Sequence, residues 1–153
     1  MEKKIGKSCF ILIIIGLLFL GACAPAPSAH EPSKTDAGVY LPQLAPMEEM
    51  PLALMYGQLV NEDGCLRLVA NEGEESYLIL WPAEVNVIAT GGMLVIQDAD
   101  GEVVARVDQQ IGLVGGEYTQ RDWVEGLLQP GSGLPEDCPG PYWLTGEIIE
   151  PEL

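Results

Sequence analysis

The stretch Leu52–Trp81, LALMYGQLVNEDGCLRLVANEGEESYLILW, decides how the rest of the chain is read. Two clusters of turn residues, Asn61-Glu62-Asp63-Gly64 and Asn71–Glu75, divide it into three short apolar runs. Runs of that length between Asn, Asp and Gly clusters read as β-strands joined by hairpins. Leu52–Val60 is the first strand, with Gly57 marking a bulge. Cys65–Val69 is the second; Leu66 and Leu68 share one face, and Cys65, Arg67 and Val69 share the other. Tyr77-Leu78-Ile79-Leu80-Trp81 is apolar at every position, so it reads as a central strand covered on both sides and ended by Pro82.

The same punctuation continues downstream. Val85–Ala89 is a weaker strand, Gly91-Gly92 turns into Met93–Gln97, and Asp98-Ala99-Asp100-Gly101 turns into Glu102–Val107. This last strand alternates, with Val103, Ala105 and Val107 inward and Glu102 and Arg106 outward. Ile111–Val114 continues the pairing until Gly115-Gly116 breaks it. Thr119-Gln120-Arg121-Asp122 resembles a capping box, followed by Trp123, Val124, Leu127 and Leu128 on one helical face; Pro130 ends that helix. Tyr142–Ile149 is the closing strand. Turn signals every 8–12 residues and one short helix define an all-β domain: a small, partly closed barrel similar to an OB-fold, with a small β-sandwich as the alternative.

Ahead of this domain the chain changes character. Lys3, Lys4 and Lys7 precede Cys9–Leu20, an uncharged apolar run of 12 residues. That length suits the apolar core of an export signal and falls short of the roughly 20 residues of a spanning helix. The run ends in Leu20-Gly21-Ala22-Cys23, which resembles the lipobox of bacterial lipoproteins. The resemblance implies cleavage between Ala22 and Cys23, acylation of the Cys23 thiol with fatty acids such as palmitate, and a membrane anchor on the extracytoplasmic face. It implies either the cell membrane or the outer membrane, since Ala24 follows the lipidated position where inner-membrane retention is associated with Asp. From Ala24 to Met50 five prolines interrupt a stretch without periodicity, which reads as an extended, disordered spacer. The organisation expected is therefore 1–22 signal peptide, 23–50 lipidated Cys and linker, and 51–153 folded domain. Asp63–Leu68 and Cys138–Trp143 also resemble segments of small uncharacterised bacterial lipoproteins; that likeness brings no activity with it.

Charge and cysteine content narrow the function further. The chain has 7 Lys+Arg against 23 Asp+Glu, a formal charge of −16. Removing Met1–Ala22 takes three lysines and Glu2, leaving 4 cations, 22 acids and a net charge of −18. That excess argues against nucleic acid as a partner, which requires a basic footprint. With Cys9 in the signal and Cys23 lipidated, Cys65 and Cys138 are the one pair left to form a disulfide in an exported domain. The single histidine, His30, lies in the linker, so no Ser-His-Asp or Cys-His arrangement is available within the domain. No cofactor is expected; Asp98, Asp100 and Glu102 make a weak calcium candidate that reads first as a hairpin turn. Trp81, Trp123, Tyr142 and Trp143 are candidates for a stacking platform for a glycan or peptide, against their simpler use as an aromatic core. The expectation is a non-enzymatic, membrane-anchored envelope protein that binds an envelope protein or glycan. The alternatives are an extracytoplasmic carboxylate-dependent hydrolase and a purely structural envelope protein.

Overall fold

Eight strands and one helix follow one another in a computed structural model that describes residues 32–70, 73 and 75–149. The strands are β1 Ala53–Glu62, β2 Cys65–Ala70, β3 Ser76–Leu80, β4 Asn86–Thr90, β5 Met93–Gln97, β6 Val103–Arg106, β7 Gln110–Tyr118 and β8 Tyr142–Ile149. The helix, α1, spans Arg121–Glu125. The signal, Cys23 and the first part of the linker lie outside the described residues, as does most of the turn expected at Asn71–Glu75.

Local chemistry sets the hairpins. Asp63-Gly64 closes β1–β2 with φ of 54° and 95°, and Gly91-Gly92 closes β4–β5 with 59° and 82°. Positive φ at both central residues matches the right-handed twist of the paired strands. Long-range pairing then joins β1, β2, β3, β8 and β7 into a closed five-stranded ring, where the sequence reading expected a barrel only partly closed. Within it β3 and β8 run parallel, and all other neighbours are antiparallel. A parallel pair needs a long crossover, and residues 81–141 supply it, carrying β4–β7 and α1. The remaining strands form a separate three-stranded sheet, β4-β5-β6. The architecture is all-β; the sandwich alternative is not the arrangement adopted.

Two apolar clusters explain the uninterrupted run at Tyr77–Trp81. Tyr77, Ile79 and Trp81 join Leu59, Leu66, Leu68, Ile111, Leu113 and Trp143 inside the ring, where Val87, Ile96 and Ala105 of the smaller sheet close against them. Leu78 and Leu80 face the other way, into a second cluster with Leu44, Cys65, Val124, Leu134, Cys138, Tyr142 and Leu144. β3 is thus buried on both faces, as its composition requires.

Several expectations are corrected here. Residues 34–50 do not behave as a spacer: Val39 and Leu44 are buried, and Tyr40, Leu44 and Trp81 exchange backbone hydrogen bonds with Gly64, Trp81 and Pro42. Proline interrupts regular structure but still buries apolar surface, so this segment is a strap across the outside of the ring rather than a linker. Gly57 is not a bulge; register against β7 is continuous through it, and it forms the last pair of the ladder with β2. The irregularity falls at Val114/Gly115, and β7 runs through Gly115-Gly116 instead of stopping there. Val103 is exposed because a register shift between Ile96 and Gln97 alters the facing of β6. The helix is limited to one turn and a fraction, its N-cap Gln120 makes no side-chain cap, and Trp123 points to solvent while Val124 is buried.

Candidate functional site

The hairpin β1–β2 and the loop before β8 meet at the disulfide between Cys65 and Cys138, which closes a separation of 73 residues. In the chain-entropy picture a loop of that size stabilises the fold by about 4 kcal/mol. Arg67, two residues along β2, reinforces the junction. Its Nη1 donates to the Pro139 carbonyl at 2.8 Å, while Nε and Nη2 donate to Ser76 Oγ at 2.7 Å and to the Ser76 carbonyl at 2.5 Å. Burial pulls this guanidinium below its ordinary pKa, partly offset by the charge of Glu62. The sequence reading put Arg67 on the face of β2 opposite Leu66 and Leu68. That face is covered, and the side chain acts as a buried clasp between β2, β3 and the Cys138 loop.

The four aromatic candidates separate. Trp81, Tyr142 and Trp143 are 0%, 3% and 4% exposed and form part of the core, so they offer no stacking surface. Trp143 instead packs edge-on against Tyr77 with ring centroids 6.0 Å apart. Trp123 alone of the tryptophans reaches solvent, at 46% exposure. Its indole stacks on Tyr118, at 4.4 Å between centroids and 20° between planes. Glu117, Tyr118, Thr119, Gln120 and Trp123 line a cleft of about 370 Å³. The reading of the sequence placed Trp123 with Val124 on one helical face and, although Tyr118 was among its stacking aromatics, did not bring the two together. Period-2 alternation at the end of β7 was the available signal, hidden by the expectation that Gly115-Gly116 ended that strand.

Asp98, Asp100 and Glu102 form a turn. Asp98 Oδ1 accepts the backbone N–H of Asp100 at 3.0 Å and of Glu102 at 2.9 Å, and Gly101 takes a φ of 81°. One oxygen of the Asp98 carboxylate thus holds the turn together. Among the described residues no group of three or more His, Cys, Asp or Glu side chains is arranged to hold a metal ion.

Two further polar features stand apart from the disulfide and the aromatics. Gln43 donates from Nε2 to the Ala83 and Val85 carbonyls at 3.0 and 2.8 Å and accepts from Gln129 Nε2 at 2.6 Å; its backbone N–H donates to Ser132 Oγ at 2.8 Å. A cleft of about 370 Å³ lies beside these groups, lined also by Lys34 and Tyr40. Its polar side chains are largely committed to holding the strap in place. The Tyr77 hydroxyl donates to the Glu75 carboxylate. That bond first, then burial and the nearby charge of Glu117, push the Tyr77 phenol well above its ordinary pKa.

The cations are few and mostly engaged. Arg67 is buried, Arg121 pairs with Glu125 at 2.8 Å and donates to the Leu134 carbonyl at 2.6 Å, and Lys34 sits 5.1 Å from the centre of the Tyr40 ring. No helix among the described residues is long and apolar enough to cross a membrane. No family model, curated protein or solved structure matches the chain.

Proposed function

We propose that this chain is a lipid-anchored protein of the bacterial cell envelope whose β domain works as a non-enzymatic interaction module. The observation that carries the reading is Leu20-Gly21-Ala22-Cys23, set directly after a basic start and a 12-residue apolar run. Two or three acyl chains on Cys23, at roughly 0.8 kcal/mol per buried CH₂, hold such a protein on a bilayer without a spanning helix. The Cys65–Cys138 disulfide supports an oxidising compartment, the setting in which such bonds persist. The strongly acidic surface keeps the domain off anionic head groups, leaving it exposed to partners at the end of its anchor.

The test is metabolic labelling of the expressed protein with radioactive palmitate, followed by detergent phase separation. The wild-type chain is expected to take up label and enter the detergent phase. Cys23→Ala is expected to lose the label and leave that phase. An unlabelled wild-type protein, or a mature N-terminus other than Cys23, overturns the reading.

A further inference from the structure

The small sheet β4-β5-β6 has two edges, and they are built differently. β6 is four residues long, ends in Arg106 and carries a register shift against β5 at Ile96/Gln97. Short length, charge and irregular register keep an edge strand from pairing. β4 has none of these: Asn86–Thr90 holds no charge and no proline, and all five residues pair in continuous register with β5. A cleft of about 590 Å³ lies beside it, between Asn86–Ala89 and Lys34–Ala37 of the strap, so the edge is open.

Register decides which backbone groups face that opening. Beside the two-residue turn Gly91-Gly92, Thr90 and Met93 form a hydrogen-bonded pair. By alternation Ile88 and Asn86 also bond β5, and the N–H and C=O of Val87 and Ala89 point to the open edge. The next strand agrees: the Leu94 carbonyl accepts the Val107 N–H on the β6 side, which turns Met93, Val95 and Gln97 toward β4. Among the described residues, Val87 and Ala89 make no backbone hydrogen bond outside the sheet.

A second copy of the strand fits these groups. Turned about a two-fold axis through Ile88, two β4 strands lie antiparallel, with Val87 opposite Ala89, Ile88 opposite Ile88 and Asn86 opposite Thr90. Each Val87–Ala89 pair then exchanges both hydrogen bonds, and the two exposed Ile88 side chains meet in the close pair between them. Charge favours the same arrangement. Each copy carries −16, so copies repel except where acids are absent. β4, β5 and β6 contain no acid. Glu84 and Asp98 lie at the Asn86 end of β4, whereas its Thr90 end closes on Gly91-Gly92. The antiparallel two-fold sets the acidic end of one copy against the uncharged turn of the other. We infer that β4 is a dimerisation edge, joining two copies of this chain into one continuous sheet through β4–β4 pairing. The inference goes beyond the reading of an anchored interaction module and does not depend on the anchor.

Sedimentation equilibrium of the full-length oxidised protein, in a density-matched non-ionic detergent, reads the association. The wild type is expected to dimerise, and more tightly as salt rises, because repulsion between the acidic copies is then screened. Ile88 faces outward, so Ile88→Lys and Ile88→Glu leave the fold intact. Each alone sets like charges against each other and is expected to weaken dimerisation about 10-fold or more. An equimolar mixture of the two is expected to restore it, which misfolded variants would not do. Amide exchange of the wild type is the second readout: Val87 and Ala89 are expected to slow as protein concentration rises. A chain that stays monomeric up to about 1 mM overturns the inference. So does a dimer indifferent to Ile88→Lys, a dimer weakened equally by Leu52→Lys on the barrel, or a mixture that does not associate. Slow exchange at Val87 and Ala89 in a monomer assigns the edge to another occupant and overturns it as well. A monomeric wild type leaves the palmitate result standing, and a failed labelling leaves the sedimentation result standing, so the two failures are separable.

Discussion

Arg67 shows how much a single side chain can depend on its surroundings. Alternation along Cys65–Val69 puts it on the face opposite Leu66 and Leu68 without saying what covers that face; it is 7% exposed and spends three donors on Ser76 and Pro139. Its nearest carboxylate, Glu62 at 3.5 Å, is itself largely exposed and contributes little. Arg67→Ala leaves two part-buried carbonyls short of a donor and opens a void beneath the Cys138 loop, so it is expected to cost about 2–3 kcal/mol, measured by urea unfolding of the oxidised protein. Tyr77 makes a second prediction at this scale. Its phenol has a folded-state pKa raised above the unfolded value of about 10, first through its hydrogen bond to Glu75. The stability it contributes is complete below that unfolded value and is lost as pH rises beyond it, because the unfolded chain then ionises first. Urea midpoints measured from pH 8 to pH 11 are expected to fall more steeply in the wild type than in Tyr77→Phe.

At the scale of elements, two glycines mark points of close backbone approach. An ideal Cβ at Gly115 would overlap the Leu144 carbonyl oxygen, and one at Gly57 would overlap that of Val69. Both are positions of close backbone approach between neighbouring strands, but only the first coincides with a register shift. Backbone cannot move aside as a flexible side-chain tip can, so Gly115→Ala is expected to cost about 3 kcal/mol or more in chemical denaturation. The helix is limited by its composition: no side-chain cap at Gln120, Gly126 at its C-terminus, and Pro130 shortly after. It survives because Val124 and Arg121 anchor it to the loop before β8, which is packing rather than propensity.

For the molecule as a whole, the strap changes the boundary of the fold. Leu44 is 2% exposed and lies in the cluster that holds Cys65, Cys138 and Val124. If residues 34–50 were a spacer, Leu44→Ala would leave stability unchanged. As a buried member of the second cluster it is expected to cost about 2–4 kcal/mol, with a corresponding fall in the thermal midpoint. The same cluster sets the functional layout. Strap, helix and Cys138 loop cover the outer face of β2, β3 and β8, whereas Leu52 and Leu54, at and just before the start of β1, remain exposed.

Much of this was legible in the residues. Turn clusters at Asp63-Gly64 and Gly91-Gly92 placed two hairpins, the apolar run at Tyr77–Trp81 marked the doubly buried strand, and cysteine arithmetic named the disulfide pair. Those signals are local or combinatorial: a turn depends on the φ its residues tolerate, and one remaining pair has one way to join. What covers each face is not local. The fates of Arg67, Leu44 and Trp123 depend on segments tens of residues away, brought alongside by the parallel β3–β8 crossover. Trp81, Trp123 and Trp143 are the same residue type in the sequence, and only the tertiary structure decided that two fill the core and one faces water.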